Sequence, residues 1–317
     1  MKRFPILALL SLSLFVWGCG GGSDTNAEKE AAAAAAKPTE PAIPDLPKRS
    51  LKLEEIGLQN PESVASDGEF YYVSNLGPEL KPFRKDQNGF IMKLDAEGKV
   101  VKKRFARGLD APKGMVVVGG KLYVTDIDKV RSYDLATGKS AGTLNLSKDY
   151  ETPFLNDIVV KNDNELYASL TNINKVISIK LGEKMTYEEL APRVPYPNGL
   201  AYDAESNTLY VNSYDEYGGP MGMITWGEDG TPVYAAGPDT EFKGQLDGMA
   251  LVRGKAVYSD WKTGALRIWN PFSEKGGYVP MTNALRGPAD FYFDEARNEL
   301  WIPAMQENRI YVMFADF

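Results

Sequence analysis

Tyr196-Pro197-Asn198-Gly199-Leu200 and Gln245-Leu246-Asp247-Gly248-Met249 are two copies of one short pattern. Each has Pro or Leu, a variable residue, a small or acidic residue, then an apolar one. Four more segments match it: Asn60-Pro61-Glu62-Ser63-Val64, Ala111-Pro112-Lys113-Gly114-Met115, Phe154-Leu155-Asn156-Asp157-Ile158 and Gly287-Pro288-Ala289-Asp290-Phe291. Their third residues stand at 62, 113, 156, 198, 247 and 289, spaced by 51, 43, 42, 49 and 42. A period in the forties is the length of one four-stranded β-propeller blade.

The surrounding sequence repeats with the pattern. A second apolar stretch follows each copy, as in Phe70-Tyr71-Tyr72-Val73, Leu122-Tyr123-Val124, Leu166-Tyr167-Ala168 and Leu209-Tyr210-Val211. Turn-forming residues such as Asp67-Gly68, Gly119-Gly120 and Ser206-Asn207 precede most of these stretches. Outer strands are expected near Val100 to Phe105, Thr143 to Leu146, Tyr187 to Leu190 and Val233 to Ala236. No segment keeps a helical period. The chain therefore reads as all-β, a six-bladed β-propeller of four-stranded blades over residues 50–317. The sixth unit ends with its third strand, Ile310 to Phe314. The alternating run Leu51 to Ile56 is expected to supply the missing outer strand and so close the ring. A β-sandwich of similar strand count leaves the period unexplained.

The N-terminal region has a different character. Lys2 and Arg3 precede an apolar run from Phe4 to Trp17, too short for a stable membrane span but suited to a secretory signal. Gly18-Cys19 closes that run and resembles a bacterial lipobox. Residues 1–18 are expected to be a lipoprotein signal peptide, and Cys19 the lipidated residue. An uncleaved signal anchor is the alternative. Residues 19–49, rich in Ala, Glu and Pro and lacking any aromatic residue, read as a flexible linker. Together they predict a periplasmic or cell-surface lipoprotein, attached to the membrane by lipid only, with a domain that is a monomer.

Composition excludes several chemistries. The 317 residues include no His and one Cys. Imidazole bases, Ser-His-Asp or Cys-His machinery, His-ligated metals and internal disulfides are all absent on that count. The net charge of -7 argues against nucleic acid as a partner.

What remains is concentrated at one place. In a propeller the third residues of the six segments converge on the channel: Glu62, Lys113, Asn156, Asn198, Asp247 and Ala289. Loops after the second strands bring Asn75, Asp126, Asp128, Asn172, Tyr214, Asp215, Asp260, Trp261 and Met305 to the same face. Four oxygen-bearing side chains aimed at one axis are costly without a cation or a hydrogen-bond network. Two carboxylates and two amides suit one divalent cation, Ca²⁺ first, or Mg²⁺ or Mn²⁺ with waters. The alternatives are Asx-turns that pin strand entries, or a metal-free pocket bridged by Lys113. Lys113 either competes with a cation or holds an anionic substrate. The loop Asn75 to Gly89 reads as a lid over the channel mouth or as a tolerated insertion.

These segments resemble the regucalcin and gluconolactonase family of six-bladed propellers, on Glu62-Ser63, Asn156-Asp157-Ile158, Tyr196 to Ala201 and Leu246 to Met249. The resemblance implies a divalent metal held by Glu62, Asn156, Asn198 and Asp247, and hydrolysis of a sugar lactone or related ester. It also implies that Asp247 or Glu62 activates the attacking water. Substrate contacts would come from Lys113, Phe154, Tyr214, Asp260 and Trp261. Phe154 stands where the family often carries an arginine, which points to a less polar pocket. The competing reading is a non-catalytic propeller that presents this face to a protein or carbohydrate.

Overall fold

A computed structural model describes residues 48–51 (backbone only), 56–237, 243–271 and 273–317. The expected signal peptide, Cys19 and most of the linker lie outside these residues. The first described strand, β1, spans Lys48–Leu51. One four-stranded sheet then follows in chain order: β2 (Pro61–Ser66), β3 (Tyr71–Asn75), β4 (Gly89–Leu94) and β5 (Val100–Leu109). The next holds β6 (Pro112–Val118), β7 (Lys121–Asp126), β8 (Lys129–Asp134) and β9 (Ser140–Asn145). A third holds β10 (Leu155–Asn162), β11 (Glu165–Leu170), β12 (Lys175–Lys180) and β13 (Thr186–Glu189).

The following eight strands form one sheet rather than two. They are β14 (Pro197–Asp203), β15 (Thr208–Gly219), β16 (Gly222–Trp226), β17 (Pro232–Ala236), β18 (Gly244–Val252), β19 (Lys255–Asp260), β20 (Leu266–Asn270) and β21 (Lys275–Tyr278). The join has a local cause. β15 runs on for 12 residues, and its far end pairs β18 at Tyr214↔Gln245 and Gly219↔Gly244. The last sheet orders β1, then β24 (Arg309–Phe314), β23 (Glu299–Ala304) and β22 (Tyr292–Asp294). The architecture is thus all-β and propeller-like, with four-stranded meanders as its unit.

An N-terminal strand does complete the last sheet. It is described at Lys48–Leu51, pairing Lys48↔Met313 through Leu51↔Ile310, and so meets the expected run Leu51 to Ile56 at Leu51. Residues 52–55 of that run lie outside the described residues. Further bonds tie the first sheet to the last. The Asn60 backbone N–H donates to Asn308 Oδ1 (2.6 Å), Ser63 Oγ donates to Asp290 Oδ2 (2.5 Å), and the Tyr71 hydroxyl donates to Asp294.

Apolar side chains pack between neighbouring units, not within them. Tyr72, Phe105 and Leu109 meet Met115, Leu122 and Val124; Val118 and Tyr123 meet Leu155 and Ile158. Tyr167 and Val176 meet Leu200 and Val211; Tyr210 meets Met249 and Trp269. Val257 and Leu266 meet Leu300 and Ile302, and Trp301 returns to stack on Tyr71 with centroids 3.8 Å apart. The cores therefore form a closed cycle. The innermost strands touch in the same cycle: β2, β6, β10, β14, β18, β22 and back to β2.

One local device recurs on the inner strands and positions the site. β2 pairs at Pro61↔Asn75 and next at Val64↔Val73, so Glu62 and Ser63 oppose Ser74 alone. The same two-for-one bulge sets Lys113-Gly114 against Thr125, Asn156-Asp157 against Ser169, Asn198-Gly199 against Asn212, and Asp247-Gly248 against Ser259. A bulge re-aims a side chain that regular pleating would turn away. Each bulge is pinned by the polar residue opposite. The backbone N–H groups of Ser63, Asp157, Gly199 and Gly248 donate to Ser74 Oγ, Ser169 Oγ, Asn212 Oδ1 and Ser259 Oγ, at 2.7 to 2.9 Å. In β6 the direction reverses, and Thr125 Oγ1 donates to the Asn156 carbonyl across the interface.

Candidate functional site

The first residue of each of these bulges lines one cavity of about 520 Å³. Glu62, Lys113, Asn156, Asn198 and Asp247 all line it, drawn from β2, β6, β10, β14 and β18. Phe154, Tyr214 and Trp261 line it too. Asp260 does not. Its buried carboxylate pairs with Arg267 and accepts the backbone N–H groups of Lys262 and Thr263, so its oxygens clasp the loop that follows β19. Asp126 is tied similarly, by Arg131 and the N–H groups of Asp110 and Ala111.

The oxygen set is buried and incompletely bonded. Glu62, Asn198 and Asp247 are all less than a tenth exposed. Glu62 Oε2, Asn198 Oδ1 and Asp247 Oδ1 have no hydrogen-bond partner among the described residues. A buried orphan oxygen costs about 1–3 kcal/mol, more when charged. Three on one cavity wall fit a hard, oxygen-seeking cation. Asn156 completes the donor types expected of such a site on the same wall. Among the described residues no group of three or more His, Cys, Asp or Glu side chains is placed to hold a metal ion by itself; the candidate set here is two carboxylates with two amides.

Electrostatics point the same way. Burial, then the charges of Asp247 and Asp290, push the Glu62 carboxyl well above its ordinary range. Burial and Asp290 raise Asp247 to about 7, against the pull of the Asn198 amide and Lys113. Lys113 is depressed to about 8, chiefly by burial. It makes no ion pair among the described residues. Its Nζ donates to the carbonyls of Ala111 (2.9 Å) and Pro82 (3.1 Å) and lies 4.4 Å from the Phe154 ring centroid. Carboxylates thus outnumber ammonium groups in a dry site, and a cation would correct the imbalance.

Two buried acids near the axis escape a reading centred on third positions. Asp157 accepts the N–H groups of Ile158 and Leu200, both at 2.6 Å, and so links β10 to β14. Asp290 accepts Ser63 Oγ, and burial raises it to about 7. The signal was present in the pattern: both occupy its fourth position, where the other copies carry Ser or Gly. The long loop after β3 also proves to be part of the site. Leu80, Pro82 and Phe83 line the cavity, and Phe83 stacks on Phe154 with centroids 4.1 Å apart.

No protein-family model and no curated protein sequence matches this chain. Among solved structures it is similar to a gluconolactonase, XC5397 from Xanthomonas campestris, at 19% identity and a TM-score of 0.61, over 86% of this chain and 90% of that one. It is similar to a luciferin-regenerating enzyme at 12% identity and a TM-score of 0.59, over 85% and 96%. Virginiamycin B lyase from Staphylococcus aureus also aligns, at 12% identity and a TM-score of 0.56, over 85% and 99%. At these identities the likeness is one of fold, and proteins of several chemistries share it.

Proposed function

We propose that this chain is a six-bladed propeller, with the eight-stranded sheet counted as two blades, and a divalent-metal-dependent hydrolase of a lactone or related ester. The observation that carries this reading is the trio of buried, unpartnered oxygens on Glu62, Asn198 and Asp247 facing one cavity. With Asn156 these residues would hold the cation, Ca²⁺ before Mg²⁺ or Mn²⁺. A bound cation would supply Lewis-acid polarisation of the substrate carbonyl and stabilise the oxyanion that follows. With the cation held, the Asp247 carboxylate is suited to take a proton from water through whichever of its oxygens does not face the cation, as the water oxygen adds to the carbonyl carbon. The same proton then goes to the ring oxygen as its bond to carbon breaks. Glu62 Oε2 is the second basic oxygen on that wall. The solved structures named above include a gluconolactonase, which favours this class within the fold.

The test is a panel of aldonolactones and aryl esters assayed with and without EDTA, alongside elemental analysis. One bound ion per chain and EDTA-sensitive turnover are expected. Asn198→Ala and Asp247→Ala should each lose the ion while circular dichroism stays native. A metal-free protein after purification in Ca²⁺ refutes the proposal. By the same reading Cys19 carries lipid and holds the domain on a membrane of the cell envelope. Cys19→Ser should then move the protein from the detergent phase to the aqueous phase.

A further inference from the structure

The four-oxygen set makes up only part of the cavity lining. The same cavity is lined by Leu76, Leu80, Phe83, Phe154, Trp261 and Met305, of which Leu76, Phe154 and Met305 share one apolar cluster with Trp261 packed against it. A polyhydroxylated sugar lactone needs a polar partner for each buried hydroxyl, because an unmatched one costs about 1–3 kcal/mol. Beyond the oxygen set, Lys113, Thr171 and Asn172 are committed to backbone groups, which leaves the hydroxyls of Tyr196 and Tyr214 as the other polar lining groups. Two Lys113 donors serve backbone carbonyls, and the ammonium lies over the Phe154 ring. Thr171 Oγ1 donates to the Pro197 carbonyl (2.7 Å). Asn172 accepts the Phe154 N–H and donates to the Thr152 carbonyl, so its amide is used at both ends.

The apolar lining is built, not incidental. The loop that presents Leu80 and Phe83 is fastened by Lys113 Nζ on the Pro82 carbonyl, by the Lys85–Asp128 ion pair (2.8 Å), by the Gln87 N–H on Asp110 Oδ1 (3.2 Å) and by the Asn60 amide on the Gly77 carbonyl (2.8 Å). Phe83 is 66% exposed although it stacks on Phe154, and such an exposed aromatic at a cavity mouth marks a contact surface. Taking the hydrolase reading as given for the lactone ring, we infer that the substrate's substituent is apolar, an alkyl or aryl group. The Phe83–Phe154 pair on the loop after β3 determines that specificity.

Binding of non-hydrolysable lactams separates this inference from the reading it rests on. A phenyl-substituted δ-valerolactam and the polyhydroxylated gluconic lactam are titrated against the full chain, followed by tryptophan fluorescence and calorimetry. The aryl lactam is expected to bind at least about tenfold tighter, the usual scale for an apolar group in an apolar pocket. Phe83→Ala should lower that ratio about tenfold, and Phe83→Leu should restore part of it. Equal or tighter binding of the gluconic lactam overturns the inference, as does a ratio unmoved in Phe83→Ala. Selective binding of the aryl lactam by a protein that is metal-free and turns nothing over keeps the apolar specificity and refutes the hydrolase. A protein that hydrolyses gluconolactone but shows no aryl preference does the reverse.

Discussion

The bulge is the residue-scale event on which the site depends. Its first residue supplies a functional side chain, and its second must tolerate the neighbouring strand. A Cβ on Gly248 would lie 2.4 Å from the Ala289 carbonyl oxygen and 2.5 Å from Asp290 Cα; on Gly199 it would lie 2.0 Å from the Asp247 carbonyl oxygen. Backbone cannot yield as a side chain can. Gly248→Ala should therefore destabilise by about 3 kcal/mol or more, read as a lower urea midpoint, even though alanine is small. Asp290 offers a second test. Burial raises its folded-state carboxyl to about 7, while an unfolded aspartate titrates near 4. The folded state holds that proton more tightly, so its contribution is full below pH about 4 and is lost as pH rises towards 7. In EDTA, thermal stability should fall across that window, and Asp290→Asn should flatten part of the fall. An unchanged pH profile in that variant would count against a buried, proton-holding Asp290.

At the scale of elements, two segments carry distinct loads. β1 contributes a short ladder to β24 and covers an edge that would otherwise be open. Starting the chain at residue 52 removes roughly four ladder bonds worth about 1 kcal/mol each. The melting temperature should drop by roughly 10 °C, with concentration-dependent aggregation as the exposed edge seeks partners. The loop after β3 carries specificity instead of stability. Lys85 is half-exposed, so its pairing with buried Asp128 adds little to global stability. Lys85→Ala should leave the melting temperature nearly unchanged while hydrogen exchange over residues 78–87 accelerates. Slowed or unchanged exchange there would show that the ion pair does not fasten the loop.

The sheets of the described residues form a closed cycle that shares its cores, which makes closure and axial charge collective properties. The proposed cation at the oxygen set would bind the folded state alone, and at 100 times its Kd would add about 2.7 kcal/mol. Calcium should therefore raise the melting temperature and EDTA lower it, with Asp247→Ala insensitive to both. The same cycle explains why the eight-stranded sheet does not break the architecture. Its two halves still bury Tyr210, Met249 and Trp269 between them, as neighbouring sheets do elsewhere.

The sequence alone determined the repeating unit, the all-β class and which residues would converge. Short-range information suffices for these: alternation, turn residues and a pattern such as Pro-Asn-Gly-Leu are local. It also named Glu62, Lys113, Asn156, Asn198 and Asp247, because the bulge recurs at one place in each period. Tertiary structure decided what depends on distant partners. β24 paired with Lys48–Leu51, Arg267 engaged the Asp260 carboxylate, and Lys113 was spent on carbonyls 2 and 31 residues away. Asp290 is a buried acid that accepts a hydrogen bond from Ser63, 227 residues distant. Closing a ring brings together residues whose sequence separation leaves no local trace, and their hydrogen bonds and desolvation set the chemistry of the channel.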